Sequence, residues 1–154
     1  MTVIVPHVVR PATPGDAPAI ALFNRLLAQE SEGVELDAAT VTAGVAAVLA
    51  DPGKGLYFVA EIGGQPVGQL MLTVEWSDWR NGPIYWIQSV YVVAERRNTG
   101  VFRALWERGL ATARAAGAKA VRLYVEEANA AAQEAYRRVG MHRSGYLVFE
   151  KEPP

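Results

Sequence analysis

The sequence predicts a single mixed α/β domain spanning residues 1–154. Three observations carry that reading: apolar periodicity switches between strand-like and helix-like along the chain, turn residues mark each switch, and a strand–turn–helix–strand unit stands at its centre. The unit opens with Tyr85-Trp86-Ile87-Gln88-Ser89-Val90-Tyr91-Val92-Val93, dense in β-branched and aromatic residues as a buried strand requires. Ala94 to Gly100 breaks the pattern, and from Val101 onward Val101, Leu105 and Leu110, with Phe102 and Trp106 beside them, recur at helical spacing. A strand thus feeds a helix through a basic, glycine-containing turn. The first N–H groups of that helix have no intrahelical partner, and the dipole favours negative charge beyond them, so the turn is an anion site.

The other elements follow in order. Val3 to Arg10, rich in valine and interrupted by Pro6, reads as an edge strand ending at Pro11. Thr13-Pro14-Gly15-Asp16 offers a turn and a helix start, with either Thr13 or Asp16 as the cap. The helix runs to about Gln29, with Ile20, Phe23, Leu26 and Leu27 on one face, and ends at Ser31-Glu32-Gly33. A second, alanine-rich helix spans Asp37 to Leu49 and stops at Asp51-Pro52-Gly53. Leu56 to Ile62 and Gln65 to Trp76 are strands joined by the tight turn Gly63-Gly64, and the loop Ser77 to Pro83 leads into the central strand. These connections are too short for crossovers, so the three strands pair antiparallel. After the central helix Gly117 is a C-cap residue, and Val121 to Val125 is a strand parallel to the central one. Asn129 caps a helix from Ala130 to Val139, stopped by Gly140, and Ser144 to Glu150 is a last strand.

Composition narrows the function. Fifteen basic and sixteen acidic residues leave a net charge of -1, which does not suggest nucleic acid or an anionic membrane as the main partner. With no cysteine there is no disulfide framework, thiol nucleophile or thiolate metal site, which fits a reducing compartment. The N-terminus lacks the pattern of a secretory signal, and no apolar run approaches the roughly 18 residues of a membrane span. A cytoplasmic protein is expected. His7 and His142 lack metal spacing, so no metal is expected.

Two motifs give the chain a family resemblance. Arg97-Asn98-Thr99-Gly100-Val101-Phe102 follows the central strand, and Asn129 is followed seven residues later by Tyr136 and then by Gly140-Met141. In these motifs and in the order of its elements the chain resembles the GNAT superfamily of acyl-CoA-dependent N-acyltransferases along nearly its whole length. The resemblance implies a central mixed sheet of six or seven strands with flanking helices, and acetyl-CoA as cosubstrate. It implies that the pyrophosphate lies on the loop of Arg97, Asn98, Thr99, Gly100, Val101, Phe102 and Arg103, with Arg96 adding charge. Phe102 departs from the family's small residue there; by helical spacing its ring can share a face with Leu105 and Trp106. The pantetheine arm is implied to pair with backbone groups of Val90, Tyr91 and Val92, beside Asn129, and Tyr136 to protonate the departing thiolate. Direct attack by a neutral amine follows, with no acyl-enzyme. The family's glutamate on the central strand is replaced by Gln88 and Ser89, so Glu75 is the leading candidate base, Glu126 stands behind it, and a water chain is an alternative.

Bland readings stand beside these. Gly100 alone fits any strand–helix turn, Tyr136 alone fits a core position, and Glu75 fits a solvated strand end. Trp76, Trp79, Tyr85 and Trp86 serve as core with a homodimer contact or as a wall of the acceptor site. Against the enzyme stands a non-catalytic CoA-binding sensor or assembly module of the same fold. A nucleotide kinase is disfavoured because no Gly-Lys-Ser or Gly-Lys-Thr follows the loop.

Overall fold

Two packed faces of one sheet build the larger part of the molecule. The computed structural model of the chain describes residues 6–153, which divide into a unit extending to Tyr124 and a second from Val125 onward. The first unit holds strand β1 (His7–Pro11), helices α1 (Ala17–Glu32) and α2 (Ala38–Ala50), strands β2 (Leu56–Ile62), β3 (Gln65–Ser77) and β4 (Gly82–Val92), helix α3 (Val101–Ala115) and strand β5 (Ala120–Leu123). The strands lie in chain order, β1-β2-β3-β4-β5. The first four pair antiparallel and β5 joins β4 in parallel, as the α3 crossover dictates. The second unit holds helix α4 (Ala130–Arg138).

Side-chain alternation gives the sheet two apolar faces. On one, Ile20 and Ala21 of α1 and Val45 of α2 pack with Tyr57 and Val59, with Met71 beside them. On the other, Val101, Leu105, Gly109 and Ala113 recur every fourth residue along α3 and are all buried. Two glycines set the closeness of this second layer. A β-carbon on Gly109 would stand 3.3 Å from Leu70 Cδ2, and one on Gly68 would stand 3.2 Å from Leu105 Cδ1 and 3.5 Å from Val101 Cγ1. The start of α3 therefore lies close over β3 and β4.

Local signals account for the ends. Thr13 and Asp16 occupy the N-cap positions of a short turn and of α1, but the Asp16 carboxylate makes no capping bond to α1 and accepts the Thr13 N–H instead. Gly33, at φ +65, ends α1 three residues beyond the expected Gln29. Asp37 caps α2 by accepting from the Thr40 N–H at 2.9 Å. Gly63 and Gly64 both have positive φ, as a two-residue hairpin requires.

The expected strand count is corrected. The sheet has five strands, not six or seven, because residues 144–150 make no ladder among the described residues, and Leu147, Val148 and Phe149 are exposed there. A run of strand-forming residues becomes a strand only where a neighbour completes its hydrogen bonds. Among the described residues the first strand is His7–Pro11; residues 3–5 of that expectation lie outside them. No helix among the described residues is long and apolar enough to cross a membrane.

One ion-pair cluster ties β1 to the start of α1. Arg10 donates to both Asp16 carboxylate oxygens, at 2.8 and 2.9 Å, and to Glu61 at 3.0 Å, while the Thr13 N–H donates to Asp16 at 2.7 Å. The Arg10 guanidinium holds the buried Asp16 carboxyl below the usual carboxylate range. Asp16→Asn leaves Arg10 facing a neutral amide, and is expected to cost about 2 kcal/mol at neutral pH. Because the folded-state pKa is depressed, this contribution is present above the unfolded value of about 3.9 and lost as pH falls through the lower folded value. Urea denaturation should show the two proteins converging below about pH 4. An equal midpoint at pH 7 would refute the role.

Candidate functional site

The connection from β4 to α3 folds into a cradle of backbone donors. Asn98 and Gly100 take left-handed conformations, φ +62 and +94, which reverse the chain twice in three residues and start α3 at Val101. Gly100 is the N-cap residue, and the first helical bond runs from the Ala104 N–H to its carbonyl at 3.0 Å. The N–H groups of Asn98, Thr99, Gly100, Val101 and Arg103 meet no acceptor among the described residues. Orphan donors at a helix N-terminus suit an anion.

The side chains of the loop do other work. Thr99 Oγ1 donates to the Arg96 carbonyl at 2.5 Å, closing the turn on itself. The Arg97 guanidinium is committed to the scaffold: Nε donates to the Val92 carbonyl at 2.9 Å, Nη2 reaches both Glu30 oxygens at 3.1 Å, and the group lies 5.4 Å from the Tyr91 ring centroid. Arg97 thus pins the end of β4 to the end of α1, and Glu30 offsets its charge. Arg103 is exposed and pairs with Glu107 at 3.8 Å. The Phe102 ring stacks on Trp106 with centroids 6.2 Å apart, so it extends along α3. His7, which had no assigned role in the sequence, stands beside the cradle: its Cε1 would lie 3.7 Å from a β-carbon on Gly100.

β4 is paired on both sides over only part of its length. The ladder to β5 covers Ile84 to Ile87, whereas the ladder to β3 continues to Val92. From Gln88 onward the other edge of β4 carries no strand among the described residues. Where the β5 ladder stops there is also a bulge: Met71 faces Ser89 but Leu72 faces Ile87, leaving Gln88 as the extra residue. Tyr91 itself is core, stacked on Phe23 at 5.5 Å, and burial beside the Glu30 carboxylate pushes its hydroxyl up. An open edge of this kind presents backbone groups that an extended, amide-bearing chain can pair with.

Beneath the bulge lies a polar network that sequence reasoning missed. Gln69, fully buried, donates to Asn24 Oδ1 and Ser89 Oγ, both at 3.1 Å, and Asn24 Nδ2 donates to the Tyr57 hydroxyl at 3.4 Å. It joins α1 to three strands at the residue where β4 changes register. The cue was there: Gln69 interrupts an otherwise apolar run from Val67 to Leu72.

The candidate bases stand apart from the bulge. Glu75 faces Ile84, four residues along β3 from Met71, or about 13 Å along the strand from the Ser89 position. Its half-exposed carboxylate lies 3.7 Å from the Arg122 guanidinium. Glu126, in the second unit, accepts the Ala128 N–H at 2.6 Å and so braces its own turn. In that unit Asn129 caps α4, Oδ1 accepting the Ala132 N–H at 3.1 Å, and its Nδ2 meets no acceptor among the described residues. Tyr136 lies in the last turns of α4, where burial pushes its hydroxyl up. No group of three His, Asp or Glu residues able to hold a metal occurs among the described residues.

Comparison with known proteins agrees with this geometry. The profile of the acetyltransferase (GNAT) family matches residues 20–141. Mycothiol acetyltransferase from Thermobispora bispora is 41% identical over 88 residues, which are 56% of this chain and 30% of that protein. The chain thus matches less than a third of that relative's length. A crystal structure described as "a possible acetyltransferase from Clostridium difficile 630" is 41% identical, with a TM-score of 0.89, covering 95% of this chain and 97% of the other. An aminoglycoside N-acetyltransferase in complex with CoA, 14% identical, has a TM-score of 0.81 over 97% of this chain and 96% of its own. At that identity the likeness is one of fold.

Proposed function

The chain belongs to the acetyltransferase (GNAT) family, and from that membership we propose that its 154 residues act as one domain transferring an acetyl group from acetyl-CoA to an amine. The observation that carries the reading is the single-sided edge of β4 running directly into the donor cradle of α3. A phosphate-bearing ligand with an extended amide arm fits that sequence of features: anion donors first, then free strand edge.

In this reading the N–H groups of residues 98–103 hold the pyrophosphate, and the edge of Val90, Tyr91 and Val92 aligns the arm. The Val92 carbonyl is already taken by Arg97 and the Tyr91 carbonyl points at Gly68 of β3, so Val90 and the Val92 N–H carry that pairing. The Arg97 side chain supports the cradle rather than the phosphates. Asn129 offers Nδ2, since its oxygen caps α4. The amide N–H of Val90 or Val92 stabilises the carbonyl oxygen as the amine nitrogen bonds to the acyl carbon. As the C–S bond breaks, Tyr136 gives its phenolic proton to sulfur and recovers one from solvent. Its raised pKa keeps that proton in place through neutral pH. The proton leaving the amine passes to water, and through water to Glu75, because the ladder register separates Glu75 from the bulge.

Titration with acetyl-CoA tests the reading. At a hundredfold excess over Kd the ligand adds about 2.7 kcal/mol, a rise in Tm of about 5–10 °C for a chain of this length. No shift at millimolar ligand would overturn it.

We also propose a homodimer through the tip of the β3–β4 hairpin, where Trp76 is 64% and Trp79 91% exposed. Indole rings so placed are characteristic of protein interfaces. Light scattering should give twice the chain mass at micromolar concentration; the single-chain mass would count against it.

A further inference from the structure

We infer that the acceptor is an amine carrying an aromatic ring, which lies on the Trp86–Tyr124 pair and brings its nitrogen to the point where β4 and β5 part. This rests on the acetyl-transfer reading above and deepens it. The two strands hold together up to Ile87 and Leu123, the last pair of their ladder. Trp86 and Tyr124 flank that pair, one residue before it on β4 and one after it on β5. Their rings pack in a tilted arrangement, with centroids 4.7 Å apart and an interplanar angle of 31°. Tyr124 is 59% exposed, so the shelf is open to a ligand.

Ladder register shows what else shares this face. Thr73 lies opposite Trp86, and Trp86 beside Arg122. Thr73 alternates with Met71, which packs on the α1–α2 layer, so the shelf is on the α1–α2 side of the sheet. Gln88, the bulge residue, donates to Thr73 Oγ1 at 2.8 Å and forms the inner margin. At the outer margin the Glu75 carboxylate and the Arg122 guanidinium stand 3.7 Å apart, and Arg122 also lies 5.9 Å from the Trp86 ring centroid. That pair closes the outer margin with its charges matched, so what is left to a ligand is the aromatic surface, and an amine whose ring lies there turns its nitrogen inward past Gln88. A flexible polyamine would leave the rings unused. An aromatic amine uses them, and stacking adds roughly two- to tenfold in affinity beyond buried area.

The test separates binding from turnover. Calorimetry with CoA present compares 2-phenylethylamine with 2-cyclohexylethylamine, n-hexylamine and 1,4-diaminobutane, and acetyl-CoA kinetics then gives KM for each. The expected result is tightest binding and lowest KM for 2-phenylethylamine, at least about threefold below its saturated analogue. Tyr124→Leu, at an exposed position, should raise that Kd and KM roughly five- to tenfold, Tyr124→Phe should restore them, and neither should alter the Tm rise given by CoA. Equal Kd values for the phenyl and cyclohexyl amines, or a Tyr124→Leu effect within about twofold, would overturn the inference. So would a preference for 1,4-diaminobutane. If CoA gives no Tm shift, the acetyl-transfer reading fails instead; if CoA shifts Tm while 2-phenylethylamine neither binds nor reacts, this inference alone fails.

Discussion

Replacing Gly100 by aspartate is expected to abolish the rise in Tm that acetyl-CoA produces. Gly100 closes the β4–α3 turn at φ +94, beside orphan N–H groups that can only donate. A carboxylate there occupies the donors and repels a diphosphate, and the field of α3 favours keeping it ionised. Strain alone is an insufficient explanation, and Gly100→Ala separates the two effects. Alanine carries the same left-handed penalty, about 1–2 kcal/mol. Its methyl would make an ordinary 3.7 Å contact with His7 Cε1. The alanine variant should therefore be less stable than wild type yet keep most of the acetyl-CoA shift, whereas the aspartate variant should lose it. Differential scanning fluorimetry on the three proteins reads both quantities at once. A full shift in the aspartate variant would remove the cradle from cofactor binding.

Tyr136→Phe should lower turnover by roughly 10- to 1000-fold while leaving acetyl-CoA binding within about threefold. Phenylalanine keeps the ring and its packing and removes only the proton donor. A Tyr136 that serves packing alone would show turnover within about threefold of wild type, with ~1 kcal/mol of stability lost with the hydroxyl. That outcome is what a CoA-binding module without catalysis would give. The pH profile adds a second reading. An acid must be protonated to act, and burial raises the Tyr136 pKa above its ordinary value of 10.0, so its contribution persists through neutral pH and falls only on the alkaline side. The phenylalanine variant should lack that alkaline fall. Steady-state kinetics on an acceptor found by screening, from pH 6 to beyond about 10, decides it.

Short-range chemistry was legible in the residue order. Caps at Asp37 and Asn129, the Gly63-Gly64 hairpin and the Gly33 stop follow from hydrogen-bonding groups and φ preferences within four residues of where they act. The strand–turn–helix unit around Gly100 was legible for the same reason, since orphan donors at a helix start are a property of the helix itself. Its two motifs were enough for the family resemblance, and the matching profile covers residues 20–141.

What the sequence by itself determined is therefore the order of elements, most of their ends, and the glycine turn with its orphan donors before α3, all set by interactions among near neighbours. Tertiary structure alone decided which groups those elements bring together. Arg97 appears basic and available in its motif, yet Glu30 and the Val92 carbonyl claim it. Gln69 appears as a lapse in an apolar strand, yet it bonds to Asn24 on α1 and Ser89 on β4. Glu75 was the best base by elimination, but the ladder register sets it about 13 Å along the strand from the bulge. Residues 144–150 have the composition of a strand and no ladder among the described residues. The physical reason is common to all four: a partner distant in sequence decides how a charge, a buried amide or a strand edge is satisfied, and local propensity carries no information about that partner.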